Sequence, residues 1–445
     1  MRVYLRALGC RLNEAELENW AEQFRDRGHS ISNDGDAADL IVLNTCAVTN
    51  EAVKKSRQLI RQAHRSNPSS KLVVTGCSAT LDPDLERKMS AIDLLVANHE
   101  KDRLVDIVSA RLAPEAAPRI ATDPGETPLF LRGRNRAFIK IQDGCRHRCS
   151  FCIVTVARGG ERSRPVRDII EQINRLHARG VREVVLTGVH VGGYGSDLDS
   201  SLYKLLQTVL AQTSIPRLRL ASVEPWDLHE DFFELFANRR LMPHMHLPLQ
   251  SGHDRVLKRM ARRCNTAHFR ELVSRARRLV PDFNVTTDII VGFPGETDEY
   301  WRQGLSFIRE MEFSHIHIFP YSRRAGTAAA GMPDQLDDVS RRERCRQLHE
   351  LARELKQACL ERQVGKRLAV LFENARADRA SGTVQYSGYS PNYMRVALPA
   401  RDAGPIANEL VQVQITGLTP TRDALTARLL RSSEQPVEAL PGSRV

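Results

Sequence analysis

Three cysteines fall within eight residues in Gly144-Cys145-Arg146-His147-Arg148-Cys149-Ser150-Phe151-Cys152, at CxxxCxxC spacing. Three thiolates on one tight loop can hold three irons of a 4Fe–4S cluster and leave the fourth iron without a protein ligand. An open iron can chelate a substrate and pass it an electron, which a cluster closed by four cysteines cannot do. Structural zinc is the competing occupant. It takes a fourth Cys or His and favours paired spacings such as C-x2-C with a distant second pair. His147 is the one candidate for that fourth ligand, but it lies inside the loop, where closing a tetrahedron is awkward. On the motif alone both occupants stay open.

The loop follows an apolar strand, Ala137-Phe138-Ile139-Lys140-Ile141, and strands alternate with helices on both sides of it. In residues 1–112, Val3-Tyr4-Leu5, Leu40-Ile41-Val42-Leu43-Asn44 and Lys71-Leu72-Val73-Val74-Thr75 read as strands. Helices over 14–27 and 51–66 separate them. Short apolar runs are typical of buried parallel strands, and the βα alternation predicts an α/β unit with a doubly wound parallel sheet. Gly9-Cys10, Thr45-Cys46 and Gly76-Cys77 stand where these strands end. Ligands of such sheets gather at the carboxyl ends of strands. Small neighbours let the backbone approach an inorganic cluster. Cys10, Cys46 and Cys77 are therefore candidate ligands of a second cluster, against the alternative of buried structural thiols.

Residues 113–130 are rich in Pro, Ala and Thr and read as a linker. From 131 to 362 the βα rhythm returns with about six strands, which predicts a partial or complete TIM-like barrel with its chemistry at the carboxyl ends. Glycine-rich turns follow two of these strands. Gly188, Gly192 and Gly193 lie in one turn and Gly292 and Gly295 in the other; with Glu224 and Gln250 they are the candidate contacts for a polar cofactor. His246, Ser251, Asp288 and Arg164 stand at similar places, each also readable as an ordinary polar residue of a barrel mouth. From 363 to 431 short strands recur between Ser, Gly and Asn turns, predicting a small antiparallel β-barrel of the kind that binds RNA. Tyr386, Tyr389 and Tyr393 are candidate stacking faces, with Arg376, Arg379 and Arg395 for phosphates; the tyrosines could equally be barrel core. Residues 432–445 read as a disordered tail.

The formal charge of +11 over 445 residues fits a polyanionic partner, most simply nucleic acid. The nine cysteines are scattered apart from the one cluster, which excludes a secreted disulfide scaffold. No secretory signal precedes the first strand and no run is long and apolar enough for a bilayer, so the expected setting is cytoplasmic.

The whole pattern resembles the radical S-adenosylmethionine (SAM) methylthiotransferase family. The resemblance rests on Leu8-Gly9-Cys10 with Asn13, Asn44-Thr45-Cys46, Thr75-Gly76-Cys77, the CxxxCxxC loop with Phe151, Ser163-Arg164-Pro165, Leu247 to Gly252, Gly292 to Glu296 and Pro320-Tyr321-Ser322. The C-terminal barrel is similar to a TRAM domain. Asn44 to Asn50 followed by Lys54-Lys55-Ser56-Arg57 is most similar to the branch called MtaB, which acts on N6-threonylcarbamoyladenosine at tRNA position 37, beside the anticodon. Thr155, Thr80 and Ala325 depart from the family's usual Pro, Gln and Pro.

The resemblance implies that Cys145, Cys149 and Cys152 hold a 4Fe–4S cluster whose open iron binds SAM. Reductive cleavage of SAM gives a radical that takes hydrogen from carbon 2 of the adenine. Cys10, Cys46 and Cys77 would hold an auxiliary 4Fe–4S cluster that handles sulfur, and a second SAM would supply the methyl group. The implied partners are tRNA, an electron donor such as flavodoxin or ferredoxin, and a sulfur donor that the sequence does not identify. Two sister chemistries stay open, methylthiolation of isopentenyladenosine in tRNA and of a ribosomal-protein aspartate. A non-catalytic iron–sulfur RNA-binding protein is the alternative of another class.

Overall fold

The computed structural model describes residues 1–112, 136–377 and 382–430. The expected linker 113–130, the tail 432–445 and Arg379 lie outside the described residues.

Leu40-Ile41-Val42-Leu43 offers water nothing polar, and these four residues with Asn44 and Thr45 are all buried in strand β3. Around it stand β1 (Arg2–Ala7), β2 (Ser30–Ser32), β4 (Lys71–Gly76) and β5 (Leu94–Val96), all parallel, in the order β2-β1-β3-β4-β5. Successive strand side chains point to opposite faces. Val3, Leu5, Leu40, Val42 and Val73 pack on helices α1 (Arg11–Asp26) and α5 (Leu104–Leu112) through Trp20, Phe24 and Leu104. Ile41, Leu43, Leu72 and Val74 pack on α2 (Asn50–Ser66) and α4 (Leu85–Lys88) through Leu59, Ile60 and Leu85. A five-residue helix, α3 (Cys77–Leu81), starts at the end of β4.

The central unit is an arc of six parallel strands. β6 (Arg136–Lys140), β9 (Glu183–Thr187) and β10 (Arg217–Leu220) form one sheet; β11 (His244–His246), β12 (Asn284–Val291) and β13 (His315–Pro320) form the other. Parallel bridges Leu218–Leu241 and Ser222–His246 join the two. β6 and β13 do not pair, so the barrel is partial. Helices α7 (Val166–Ala178), α8 (Leu202–Gln212), α10 (Thr266–Leu279), α11 (Asp298–Glu310) and α12 (Asp338–Glu361) bury their apolar faces against its outside. The cysteine loop leaves β7 (Gln142–Asp143), runs through α6 (Val154–Arg158) and returns on β8 (Arg162–Ser163), which pairs with β7. A short α9 (Asp254–Arg259) lies beyond β11.

Helix α1 serves two cores. Its outer face packs on β6 and β9 of the arc, where Ala15 meets Phe138 and Val185 and the Glu18 carboxylate accepts the Phe138 amide at 2.9 Å.

The C-terminal strands are β14 (Arg367–Phe372), β15 (Arg376–Ala377), β16 (Val384–Tyr389), β17 (Arg395–Pro399), β18 (Leu410–Leu418) and β19 (Leu425–Leu429). Five of them close a ring in the order β14-β18-β19-β17-β16, with β16 pairing back to β14 and β15 added at the edge of β16. The expectation of an antiparallel barrel fails at one seam: β17 and β19 run parallel, with Val396 opposite Leu425. A closed ring with an odd number of strands cannot alternate direction throughout, so one parallel seam is unavoidable.

This barrel plugs the amino-terminal floor of the arc. Arg136, Glu183, Arg217, His244 and Asn284 are the first residues of their strands. The Glu183 carboxylate lies 2.9 Å from Arg219, 3.6 Å from Arg217 and 3.9 Å from Arg136. The arginines reach on into the barrel: Arg219 donates to the Ser390 and Pro391 carbonyls at 2.8 Å, and Arg136 pairs with Glu373 at 2.9 Å. Two of the tyrosines offered as RNA-stacking faces are used here instead. Tyr393 stacks on His244 at 4.7 Å and on Tyr389 at 4.9 Å, and Arg136 covers Tyr389 at 4.3 Å. Tyr386 packs at the edge of the barrel core. Arg395 stays exposed. No helix among the described residues is long and apolar enough to cross a membrane.

Candidate functional site

The carboxyl ends of the two parallel sheets face one another, and each presents three thiols. Cys10 ends the turn after β1, Cys46 follows β3 and Cys77 follows β4. Their charges act on one another, as do those of Cys145, Cys149 and Cys152. Glycine makes room at both triads. A Cβ on Gly9 would lie 2.8 Å from the Cys46 sulfur, and one on Gly144, which has φ +72°, would collide with the Gly160 carbonyl at 1.8 Å.

The spacing of the sulfurs bears on what they can hold. Zn–S bonds of about 2.3 Å put tetrahedral ligand atoms only about 3.8 Å apart. In neither triad do the three sulfurs all lie within 4.8 Å of one another. His147 stands with His190 and Asp227 rather than with the thiols, its ring edge-on to His190 at 4.5 Å and to Trp226 at 5.7 Å. Two sets of three soft thiol donors suit iron–sulfur clusters in ligand type. Burial pushes Cys46 and Cys145 up to about 11 and Cys152 up to about 12, so filling either triad with metal releases protons.

Backbone bonds shape the CxxxCxxC loop. The Cys145 amide donates to the Gly159 carbonyl at 3.1 Å and the Ser150 amide to Met260 at 3.0 Å. The Gln142 amide group donates to the Asp143 and Gly144 carbonyls, and its oxygen accepts the Val189 and His190 amides at 3.1 and 2.8 Å. Thr155, where the resemblance expects proline, donates to the His147 carbonyl at 2.9 Å and so ties the loop in another way. Thr80, the second departure, accepts the Asn98 amide at 2.8 Å. Amides of His147 and Val154 lie 3.4 Å from the Cys145 and Cys152 sulfurs. Beneath the loop, His190 is gripped by Glu161 at 2.5 Å and Asp227 at 2.6 Å. Burial opposes its charge, but the two carboxylates win and raise its pKa.

Of the candidate cofactor contacts, Glu224 stands at the thiols: it accepts Arg262 at 2.6 Å, and Arg262 comes within 4.0 Å of the Cys149 sulfur. Gln250 is buried with φ +73° and bridges to Ile289 on β12. At the five glycines of the turns, a side chain has no room. The space a side chain would need is filled by the protein itself: by Gln142 at Gly188, Asp227 at Gly192, His190 at Gly193, Arg341 at Gly292 and Arg259 at Gly295. Arg164 is likewise structural, donating to the Lys140 carbonyl and Gln172. Ser251 is buried under the start of α9. His246 bonds Asp288 at 3.1 Å and Thr286 at 2.9 Å inside the arc.

Sequence reasoning missed the group that joins the two triads. Arg158, 2% exposed, donates to Glu16 at 3.0 Å, Asp143 at 2.9 Å and Asn13 at 2.8 Å. Asn13 in turn donates to the Leu8 and Thr45 carbonyls beside Cys10 and Cys46. Lys101 completes the network on Glu16 at 2.7 Å and Asn44 at 3.0 Å. Burial would raise the Glu16 carboxyl, but Lys101 and Arg158 hold it far below the usual range. Asn98 donates to the Ala157 carbonyl at 2.7 Å and lies 3.8 Å from the Cys77 sulfur. The one signal in the sequence was Asn13, three residues after Cys10; nothing marked Arg158 or Lys101.

Two family models match: Radical SAM superfamily over residues 139–308, and Uncharacterized protein family UPF0004 over residues 2–97. Among curated proteins, the chain is 37% identical to a threonylcarbamoyladenosine tRNA methylthiotransferase MtaB of Thermotoga maritima, over 83% of this chain and 86% of that one. It is 34% identical to the protein of that name from Bacillus subtilis, over 93% of each. It is also 35% identical to a tRNA-2-methylthio-N(6)-dimethylallyladenosine synthase of Bacillus subtilis, over 84% of this chain and 76% of that one. Among solved structures, the radical SAM methyltransferase TsrM of Kitasatospora setae matches with a TM-score of 0.54 at 15% identity, over 72% and 73% of the two chains, a likeness of fold. With relatives this similar along most of its length and a radical SAM model across its central arc, the chain belongs to the radical SAM methylthiotransferase family.

Proposed function

We propose that the enzyme methylthiolates carbon 2 of N6-threonylcarbamoyladenosine in tRNA, with a 4Fe–4S cluster at each thiol triad. The observation that carries this reading is the pair of three-thiol sets, at the carboxyl ends of their strands, facing each other across one buried ion network. Cys145, Cys149 and Cys152 would hold the cluster that binds SAM; Cys10, Cys46 and Cys77 would hold the one that handles sulfur. When bound, the first cluster and SAM supply the one-electron chemistry that breaks an unactivated C–H bond.

The chain's own part is positioning. Arg262 fixes the Glu224 carboxylate beside the thiols, where it can take a cationic amine. Amides of His147 and Val154 reach the Cys145 and Cys152 sulfurs, a contact that tunes a cluster's potential. Helix α1, which Cys10 opens, packs on β6 and β9 and so ties the Cys10 side of the auxiliary triad to the arc. The C-terminal barrel, similar to a TRAM domain, would bind tRNA through faces other than Tyr389 and Tyr393. An electron donor such as flavodoxin or ferredoxin would supply the reductant.

Mass spectrometry of tRNA nucleosides from cells lacking the protein tests the reading, with loss of the 2-methylthio derivative of threonylcarbamoyladenosine expected. Loss of the dimethylallyladenosine derivative instead would move the enzyme to the sister reaction, which the 35% identical relative makes the second reading. An unchanged nucleoside profile would sink both.

A further inference from the structure

A cavity of about 290 Å³ lies where the three units meet, lined from α1, β12, β13, α12 and the C-terminal barrel. Arg11, which follows Cys10 directly, is at one side of it; Lys356, His315, His317 and Arg395 are at the others. Among the described residues Lys356 forms no hydrogen bond or ion pair; Asp423 and Arg395 act on it only through space. His315 and His317 touch each other edge to face at 4.5 Å but hydrogen-bond nothing described. The one acid on the lining, Asp423, has its oxygen engaged by Thr419 and Thr421. Nearby, Asp288 is held by His246. Lys356, half-buried and without a bonded partner, leaves the lining of this half-enclosed space net positive together with Arg11 and Arg395 against Asp423 alone, which suits an anion.

The two kinds of relative differ in that respect. A threonylcarbamoyl substituent ends in a carboxylate; a dimethylallyl substituent is a neutral hydrocarbon, and an apolar wall would serve it better. We propose that this cavity is the specificity subsite for the substituent's carboxylate, with Lys356 and His317 as the donors that select it. The proposal rests on the tRNA substrate proposed above. A backbone phosphate of tRNA presents related chemistry and is the other source of an anion here.

The test uses anaerobically reconstituted full-length enzyme and four anticodon stem-loops. They carry threonylcarbamoyladenosine, its carboxylate methyl ester, dimethylallyladenosine or unmodified adenosine. The wild type should prefer the acid over the ester by about 10-fold or more in kcat/KM, the usual worth of hydrogen bonds to a charged group. Lys356→Met should bring that ratio close to one, and His317→Gln, which keeps a donor of similar size, should lower it less. Iron content of both variants verifies folding. If Lys356→Met keeps the wild-type ratio, the subsite is wrong while the function stands. If it weakens binding of all four stem-loops equally and lowers the slope of log affinity against log salt by about one, the contact is to a phosphate and the proposal falls. If the wild type turns over neither acid nor ester, the function itself is wrong and the subsite goes with it.

Discussion

Glu183→Gln is the perturbation that most directly tests how the C-terminal barrel is held. Glu183 is 1% exposed and faces three guanidinium groups whose side chains are each under a tenth exposed. Breaking a buried ion pair by removing one partner costs about 3–5 kcal/mol. Two considerations place this case at the low end. Arg136 keeps Glu373, and Arg217 and Arg219 keep backbone carbonyls of the barrel. The expected loss is therefore about 3 kcal/mol, or about 150-fold in the opening equilibrium. Native-state hydrogen exchange of the β14, β16 and β17 amides would read it, since the barrel should loosen from the arc before either unit melts. The wild type supplies a second readout. Burial would raise the Glu183 carboxyl, but Arg219, Arg136 and Arg217 overcome this and lower it. Its stabilisation is then fully present above the unfolded value of about 4.3 and is lost as pH falls below that toward the folded value. Glu183→Gln should abolish this acid-induced loosening. A change under about 1 kcal/mol, the level of an exposed pair, would refute the reasoning, and so would a loss spread evenly over the chain.

The other expectations concern the clusters and the RNA. Reconstituted enzyme should hold about eight irons, and replacing Cys145, Cys149 and Cys152 together by Ala should leave about half, by iron analysis; stoichiometric tightly bound zinc instead would overturn the assignment. Cys149→Ala should abolish reductive SAM cleavage, whereas Cys46→Ala should spare part of it and stop product formation, as seen by chromatography of both products. Lys54 and Arg61 are exposed on α2 without ion pairs among the described residues, so Lys54→Gln with Arg61→Gln should lower the salt slope of tRNA affinity by about two. Deleting residues from 363 onward is a poorer test than the sequence alone implied, because it would uncover Arg136, Glu183, Arg217 and Arg219; the truncated chain should lose stability as well as RNA binding.

What was legible in the sequence was whatever local pattern dictates. Apolar runs such as 40–44 and 71–75 have no reading except a buried strand, and cysteines at their ends had to reach one edge of one sheet. The CxxxCxxC loop was visible by its spacing, which left both zinc and an iron–sulfur cluster open as its occupant. Contacts between units were not legible, because they join residues far apart in the chain. Tyr389 and Tyr393 sit on a strand end and a turn where an RNA-binding surface is a fair expectation. Only the arginines of the arc's floor, some 170 to 260 residues earlier, turn them inward. The same holds for the glycine turns: a missing Cβ is visible in sequence, but which group fills its space is decided by Gln142, Asp227 or Arg341 from elsewhere.

Arg158 ties the two cysteine triads together. It closes a helix that begins two residues after Cys152, so its backbone belongs to the CxxxCxxC loop. Its guanidinium belongs to the other sheet, where it meets Asn13 and Glu16 on the helix that Cys10 opens. Four buried charges, Arg158, Glu16, Asp143 and Lys101, are satisfied only if the sheets keep their present spacing. Sliding one sheet over the other would leave at least one of them unpaired in the interior, a cost of several kcal/mol. Apolar packing tolerates small slips, whereas this network does not, and a transfer between two fixed centres needs that rigidity. The UPF0004-type unit is thus held against the arc by this network, and α1, which packs on both, is the element they share.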